Sequence, residues 1–310
     1  MKLIKPKALK KGDIVGVCAP ASPLKSREAL TKGVNYLEGM GYRVELGKHI
    51  LDEYGYLAGE DEYRAQDFNY MVSDPKIKAI IFTRGGFGSS RILPLIDFEN
   101  LKRNPKIIVG YSDITALQLA IFKKIGMVTF AGPMVASEFG QNFSGVTEEL
   151  FWNMLTSNKP IGNISKYFAN KMETISTGKA VGRLIGGNLS IISSMVGTKY
   201  FPSMDNAILM LEEVEEAPYR VDRMLHQLKY AGVLEKISGI LLGDFSTCKP
   251  WKKVPSLTLG QIFDKLLKNQ PTISNLHFGH VKNPITLPFG VRVKIDTRKK
   301  EINILESIVI

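Results

Sequence analysis

In the first half of the chain, short apolar runs alternate with longer stretches of helical spacing. Residues 14–19, 43–46, 79–82, 107–109 and 128–130 read as strands, each a brief run bounded by polar or glycine-containing sequence. Between them, 26–39, 60–72, 89–96 and 113–124 carry helix-like periodicity or polarity, and 146–155 predicts one more helix. Strand and helix in alternation predict a parallel-sheet α/β sandwich. Such sheets hold their ligands beyond the carboxyl ends of the strands, so chemistry is sought just after each apolar run.

The alternation fades after Leu155. Residues 157–179 are polar with little periodicity and read as a linker. It separates an N-terminal α/β domain, 1–156, from a smaller, β-rich α+β domain, 180–310. After a glycine-rich lead-in, this second unit predicts strands at 207–211, 237–243, 291–295 and 302–310, and helices at 219–230 and 257–267. Pro218 falls where a first-turn proline fits the earlier helix.

Composition narrows the class. The 310 residues are 44% apolar and 23% charged, as in ordinary globular proteins, and can bury a large core without staples. The two cysteines, Cys18 and Cys248, ask for no oxidising compartment. Apolar stretches fall well short of the roughly 20 residues that cross a bilayer. The basic start also lacks a signal-peptide core, so a soluble, cytoplasmic protein with no membrane partner is expected. The formal net charge of +11 raises nucleic acid as a partner. The lysines are dispersed, however, with pairs only at Lys10-Lys11, Lys123-Lys124, Lys252-Lys253 and Lys299-Lys300, and no basic run alternates with aromatics. A solvated basic surface suited to a small anionic substrate is expected instead, with no nucleic-acid partner.

One segment combines a buried strand, a glycine, a serine and a helix start: Val109-Gly110-Tyr111-Ser112-Asp113-Ile114-Thr115. That is the context of a nucleophile elbow, which exposes a serine at the sheet edge, and the Asp113 amide would face a developing oxyanion. Asp113-Ile114 stands where the usual elbow has a glycine, and Ser112 and Asp113 are equally good helix caps, so both readings stand. A second segment, Thr83-Arg84-Gly85-Gly86-Phe87-Gly88-Ser89-Ser90-Arg91, follows the strand at 79–82. The dinucleotide fingerprint fails at Arg91 and no phosphate-loop Gly-Lys follows, so no nucleotide cofactor is expected. Two readings remain, an amide-rich loop completing an oxyanion hole and a tight turn capping a helix.

Of the four histidines, His226 sits within a predicted helix, while His277 and His280 flank Phe278-Gly279 in a loop. No zinc-binding spacing accompanies them, so no metal is expected. A loop histidine serves better as general base to Ser112. The acidic knot Glu212-Glu213-Val214-Glu215-Glu216 ends the strand at 207–211 and could supply a carboxylate to orient it. The order Ser, Glu, His is a known triad order, but spacing does not choose among the four glutamates.

Taken together the segments resemble the LD-carboxypeptidase family of serine peptidases. The resemblance runs from Gly12-Asp13-Ile14-Val15-Gly16-Val17 and Ala19-Pro20-Ala21-Ser22 through Arg84-Gly85-Gly86-Phe87-Gly88 and Gly110-Tyr111-Ser112-Asp113-Ile114-Thr115. It continues in Gly182-Arg183-Leu184-Ile185-Gly186-Gly187-Asn188-Leu189, Leu211-Glu212-Glu213-Val214 and Pro218-Tyr219-Arg220-Val221-Asp222-Arg223, and closes in Gly279-His280 and Leu287-Pro288-Phe289-Gly290. It implies two domains sharing a triad of Ser112 as nucleophile, His280 as general base and Glu212 as orienting carboxylate, with Glu213 the fallback. The Gly86 and Asp113 amides would form the oxyanion hole. The implied reaction removes D-alanine from a murein tetrapeptide, in a cytoplasmic homodimer without metal or cofactor. Arg84 or Arg220 is a candidate clamp for a substrate carboxylate, against an ordinary ion-pairing role. Some family members instead hydrolyse the peptide-nucleotide antibiotic microcin C, stacking its base on an aromatic. Trp251 is the candidate here, Trp152 lying in a predicted helix. A peptide-binding protein without turnover is the remaining alternative.

Overall fold

The computed structural model describes residues 2–141, 143–251 and 254–310; the Lys252-Lys253 pair lies outside the described residues. The first unit runs β1 (Ile14–Val17), α1 (Arg27–Gly39), β2 (Arg43–Leu46), α2 (Asp61–Ser73), β3 (Ile77–Ile81), α3 (Phe98–Arg103), β4 (Ile107–Val109), α4 (Thr115–Ile125), β5 (Thr129–Ala131) and α5 (Val146–Thr156). The chain continues through β6 (Gly162–Asn163), β7 (Glu173–Ser176), β8 (Lys179–Asn188), α6 (Leu189–Met195), β9 (Ile208–Glu212), α7 (Pro218–Tyr230), α8 (Val233–Lys236), β10 (Gly239–Leu242), α9 (Leu259–Leu266), β11 (Thr272–Ser274), β12 (Leu287–Phe289), β13 (Arg292–Asp296) and β14 (Glu301–Ile304).

Two sheets result. The first has six strands in the order β12-β5-β4-β3-β1-β2, with β1 to β5 parallel and β12 antiparallel at the edge. Val15, Val17, Ile80, Ile81 and all of β4 are fully buried, the signature of strands covered on both faces. The second has eight strands in the order β6-β14-β13-β8-β9-β10-β11-β7, parallel from β8 to β11 and antiparallel outside them. Every residue of α4 except Lys123 and Lys124 is buried, because the helix packs against its own sheet and also against β8 and α6 of the second unit.

The chain departs from the sequence reading at several points; β12, within the span 180–310 read as a separate domain, pairs with β5 in the first sheet, and the strand expected at 302–310 runs only Glu301–Ile304. The segment 89–96 forms no α-helix, only a 3₁₀ turn, Leu93–Leu95, because Pro94 brings no amide to a helical ladder. The helix before β4 is instead α3, whose N-terminus is capped by Asp97 accepting from the Asn100 amide at 2.9 Å. The segment 157–179 carries β6 and β7, which close opposite edges of the second sheet. Edge strands this short and polar leave almost no periodicity in a sequence. Among the described residues no helix is long and apolar enough to cross a membrane.

Candidate active site

The carboxyl end of β4 delivers Ser112. Tyr111 is extended, and Ser112 then adopts φ +64°, a left-handed conformation rare for serine, before the chain turns into α4. Strain of this kind, of order 1–3 kcal/mol, persists where the surroundings fix it and clusters at functional sites. The hydroxyl caps no helix. It stands 3.0 Å from Nε2 of His280, 168 residues later in the chain.

His280 lies in the loop between β11 and β12, and its Nδ1 is 2.7 Å from Oε2 of Glu212, the last residue of β9. A carboxylate on Nδ1 favours the tautomer with the proton there, leaving Nε2 free to accept from the serine hydroxyl. Glu212 is only 2% exposed. Gly279 lets it come this close, because a Cβ at that position would fall 2.5 Å from Oε2. Burial of the imidazole pulls its pKa down, but the Glu212 hydrogen bond and charge, joined by Glu213 and Glu138, leave it above the ordinary histidine value.

The other glutamates point elsewhere. Glu213 is equally buried, but its carboxylate accepts from Asn188 Nδ2 at 2.9 Å, Ser190 N at 2.7 Å and Val214 N at 3.0 Å, tying the end of β8 to the start of α6. Glu215 is exposed, and Glu216 pairs with Arg220 at 3.2 Å. Only Glu212 of the acidic knot bonds the imidazole. The remaining histidines are occupied away from this line. His49 bonds Asp52, His226 bonds Asp222 and His277 bonds the Lys282 carbonyl.

Facing Ser112 is the loop after β3. A Cβ on Gly85 would sit 2.8 Å from Ser112 Cβ and 3.0 Å from its Oγ, so this backbone lies against the serine. Outside regular helices and strands, neither the Gly86 nor the Asp113 amide donates to a backbone carbonyl among the described residues, as donors to an oxyanion require. The Asp113 side chain caps no helix either. Its carboxylate accepts from the Ser89 amide at 2.8 Å, and Ser89 Oγ donates to the Asp113 carbonyl at 2.5 Å, pinning the glycine loop to the serine turn.

Arg64 pins the same loop from behind. This fully buried guanidinium on α2 donates to the carbonyls of Gly88 at 2.9 Å, Gly59 at 3.2 Å and Pro20, and pairs with Asp61. Sequence reading passed over Arg64, since one arginine in an amphipathic helix gives no signal of burial. It passed over Glu138 for a similar reason, an acid in a π-helical turn, Val135–Phe139, with no motif around it.

The two candidate clamps differ. Arg220 is committed to Glu216, with its guanidinium 5.9 Å from the Tyr219 ring and 5.7 Å from Trp251. Arg84 directly precedes the glycine loop, donates to the Pro23 carbonyl at 3.0 Å and has no carboxylate within 4 Å among the described residues. Trp251 is exposed, whereas Trp152 is buried, stacked on Tyr42 and donating to the Tyr36 hydroxyl at 2.8 Å. Among the described residues no group of three or more His, Cys, Asp or Glu side chains is placed to hold a metal ion.

A hydroxyl, an imidazole and a carboxylate in line, beside the Gly86 and Asp113 amides, can carry out nucleophilic acyl transfer. Known proteins bear on this arrangement. Residues 15–132 match the LD-carboxypeptidase N-terminal domain and residues 181–295 the LD-carboxypeptidase C-terminal domain. A probable murein peptide carboxypeptidase of Bacillus subtilis is 38% identical over 298 residues, covering 96% of this chain and 92% of that protein. The microcin C7 self-immunity protein MccF of Escherichia coli is 31% identical over 325 residues, covering 96% of this chain and 94% of that protein. The crystal structure of muramoyltetrapeptide carboxypeptidase from Oxalobacter formigenes superposes with a TM-score of 0.80 at 28% identity, covering 94% and 97% of the two chains. With both domains matched in order along one chain, and a relative this similar over nearly its whole length, the protein belongs to the LD-carboxypeptidase family.

Proposed function

We propose that this protein is a serine LD-carboxypeptidase that hydrolyses the amide between an L-configured centre and a terminal D-amino acid, releasing D-alanine from murein tetrapeptides in peptidoglycan recycling. The observation that carries the reading is the line from Ser112 Oγ through His280 to Glu212, with contacts of 3.0 and 2.7 Å.

In this reading Ser112 Oγ attacks the scissile carbonyl while His280 Nε2 takes its proton. The carbonyl oxygen, now negative, is held by the Gly86 and Asp113 amides. Collapse breaks the C–N bond, and His280 returns the proton to the leaving D-alanine nitrogen. Water, deprotonated by His280, then cleaves the Ser112 ester, freeing the shortened peptide and restoring the serine. Glu212 keeps the ring oriented and stabilises its cation in both halves. Arg84, the candidate clamp without a carboxylate partner, binds the carboxylate of the terminal D-residue. The reading includes a cytoplasmic homodimer working without metal, as the family likeness suggests.

Mass spectrometry of a murein tetrapeptide incubated with the protein tests this, with chelator present and Ser112→Ala alongside. Loss of one D-alanine with the parent alone, indifferent to chelator, is the expected result; an intact tetrapeptide would overturn it. Exposed Trp251, beside Tyr219 and Arg220, favours one second reading, hydrolysis of a peptide-nucleotide like the microcin C7 relative's antibiotic. Faster turnover of an aminoacyl sulfamoyl adenylate than of the tetrapeptide would select it.

A further inference from the structure

Glu212 is not the only carboxylate whose charge acts on the imidazole; that of Glu138 does so too. The edge of one ring meets the face of the other where Tyr111 and His280 pack, with centroids 5.2 Å apart and planes at 66°. The Tyr111 hydroxyl donates to Glu138 Oε1 at 2.8 Å, while Glu138 Oε2 accepts from the Met134 amide at 2.8 Å. Both oxygens are therefore held. The turn bearing Glu138 is itself fastened to the end of β3, through Val135 N to Phe82 O at 3.0 Å and Ala136 N to Thr83 O at 2.9 Å. Phe82 and Thr83 lead directly into Arg84 and the glycine loop. A π-helical turn is rare and is frequently found at functional sites, and this one sets a carboxylate behind the residue that precedes the nucleophile.

We infer that Tyr111 and Glu138 are a positioning pair for His280: the anchored phenol walls the imidazole opposite the grip of Glu212, and the Glu138 charge favours the imidazolium formed in each half-reaction. The role rests on the triad reading above and adds two residues to it. Burial raises the pKa of Glu138, and the donors Met134 N and Tyr111 Oη counter the rise, so they help to keep it ionised. Burial and the neighbouring Glu138 push the phenol up, which keeps Tyr111 a donor. Charge reaches His280 from Glu212 at the end of β9, from Glu213 beside it, whose own hydrogen bonds lie elsewhere, and from Glu138 in the π turn, while Tyr111 and Ser112 meet it from the end of β4; its own loop carries His277 and Lys282.

Direct titration of the His280 ring by NMR in the substrate-free protein tests the pair, with His226, remote on α7, as internal control. Glu138→Gln is expected to lower the His280 pKa by about half a unit or more while His226 stays fixed. Tyr111→Phe keeps the ring, removes the tether and is expected to move it the same way. The double variant should exceed neither single change by much, since both act through one contact. With tetrapeptide, kcat should fall about tenfold and KM stay within about twofold, because the pair acts on proton transfer rather than binding. An unmoved His280 titration in Glu138→Gln or, should that variant not fold, in Tyr111→Phe would overturn the inference and leave the carboxypeptidase reading intact. A shifted titration in a protein whose parent never cleaves tetrapeptide would uphold the pair and remove the substrate reading.

Discussion

Gly85 lies against Ser112 so closely that a single added methyl would stand 2.8 Å from the serine Cβ and 3.0 Å from its Oγ. The φ of Gly85 is one that alanine tolerates, so the cost of Gly85→Ala is steric and falls on the nucleophile. The expected outcome is a loss of about 100-fold in kcat/KM, from a displacement on the order of 1 Å, with the folded state retained. Steady-state kinetics and a thermal melt check it, and parent-like turnover would show that the loop gives way.

Adjacent glutamates should separate into two phenotypes. Glu212→Gln removes the charge that orients and stabilises the His280 cation, so kcat should drop on the order of 10³-fold or more while the melt changes little. Glu213→Gln instead disturbs one buried and two part-buried hydrogen bonds and should cost roughly 1–3 kcal/mol of stability. Its turnover per folded molecule should stay near the parent's. Denaturant titration beside kinetics distinguishes the two, and reversal of the pattern would exchange their roles.

The pH dependence follows from the raised His280 pKa. The general base must be neutral, so kcat/KM should climb through a limb centred above the ordinary histidine value of about 6.5. Stability runs the other way. A folded-state pKa above the unfolded one means that the stabilisation of the cation is complete below the unfolded value and is lost as pH rises through the folded value. Activity should therefore rise, and the His280 contribution to Tm fall, over the same interval. A limb centred below 6 would contradict the assignment.

Arg84 is expected to recognise the free end of the substrate. Arg84→Gln should raise KM for a tetrapeptide with a free terminal carboxylate by about 10- to 100-fold, the range of a charge-assisted hydrogen bond. The parent should discriminate against the C-terminally amidated peptide and the variant should not. Equal discrimination by both would assign the clamp elsewhere.

The sheet of the first unit is legible in its sequence because both faces are covered, so strands such as 107–109 appear as unbroken apolar runs. The second sheet is less so. Its outer strands, β6 and β7, are two and four residues long, partly exposed, and indistinguishable from loop. Pro94 defeats a helical pattern that polarity alone suggests. In the site, Ser112 announces itself through its strand-turn-helix context. The choice between Glu212 and Glu213 does not, because neighbours at a strand end face opposite ways and the sequence does not say which face meets the other unit. Arg64 and Glu138 were invisible because their partners come from other elements, at Pro20, Gly59 and Gly88 for the one and Tyr111 for the other.

The loop bearing His280 is strung between two sheets, since β11 before it belongs to the second and β12 after it to the first. During synthesis, the first unit can fold with β5 as an open edge, but β12 cannot cover that edge until residue 289 has emerged. The pairing of β12 with β5 and the crossing of the histidine loop to Ser112 are thus made by one stretch of chain. A chain that stops short of residue 280 therefore holds Ser112 and Glu212 without the imidazole that lies between them.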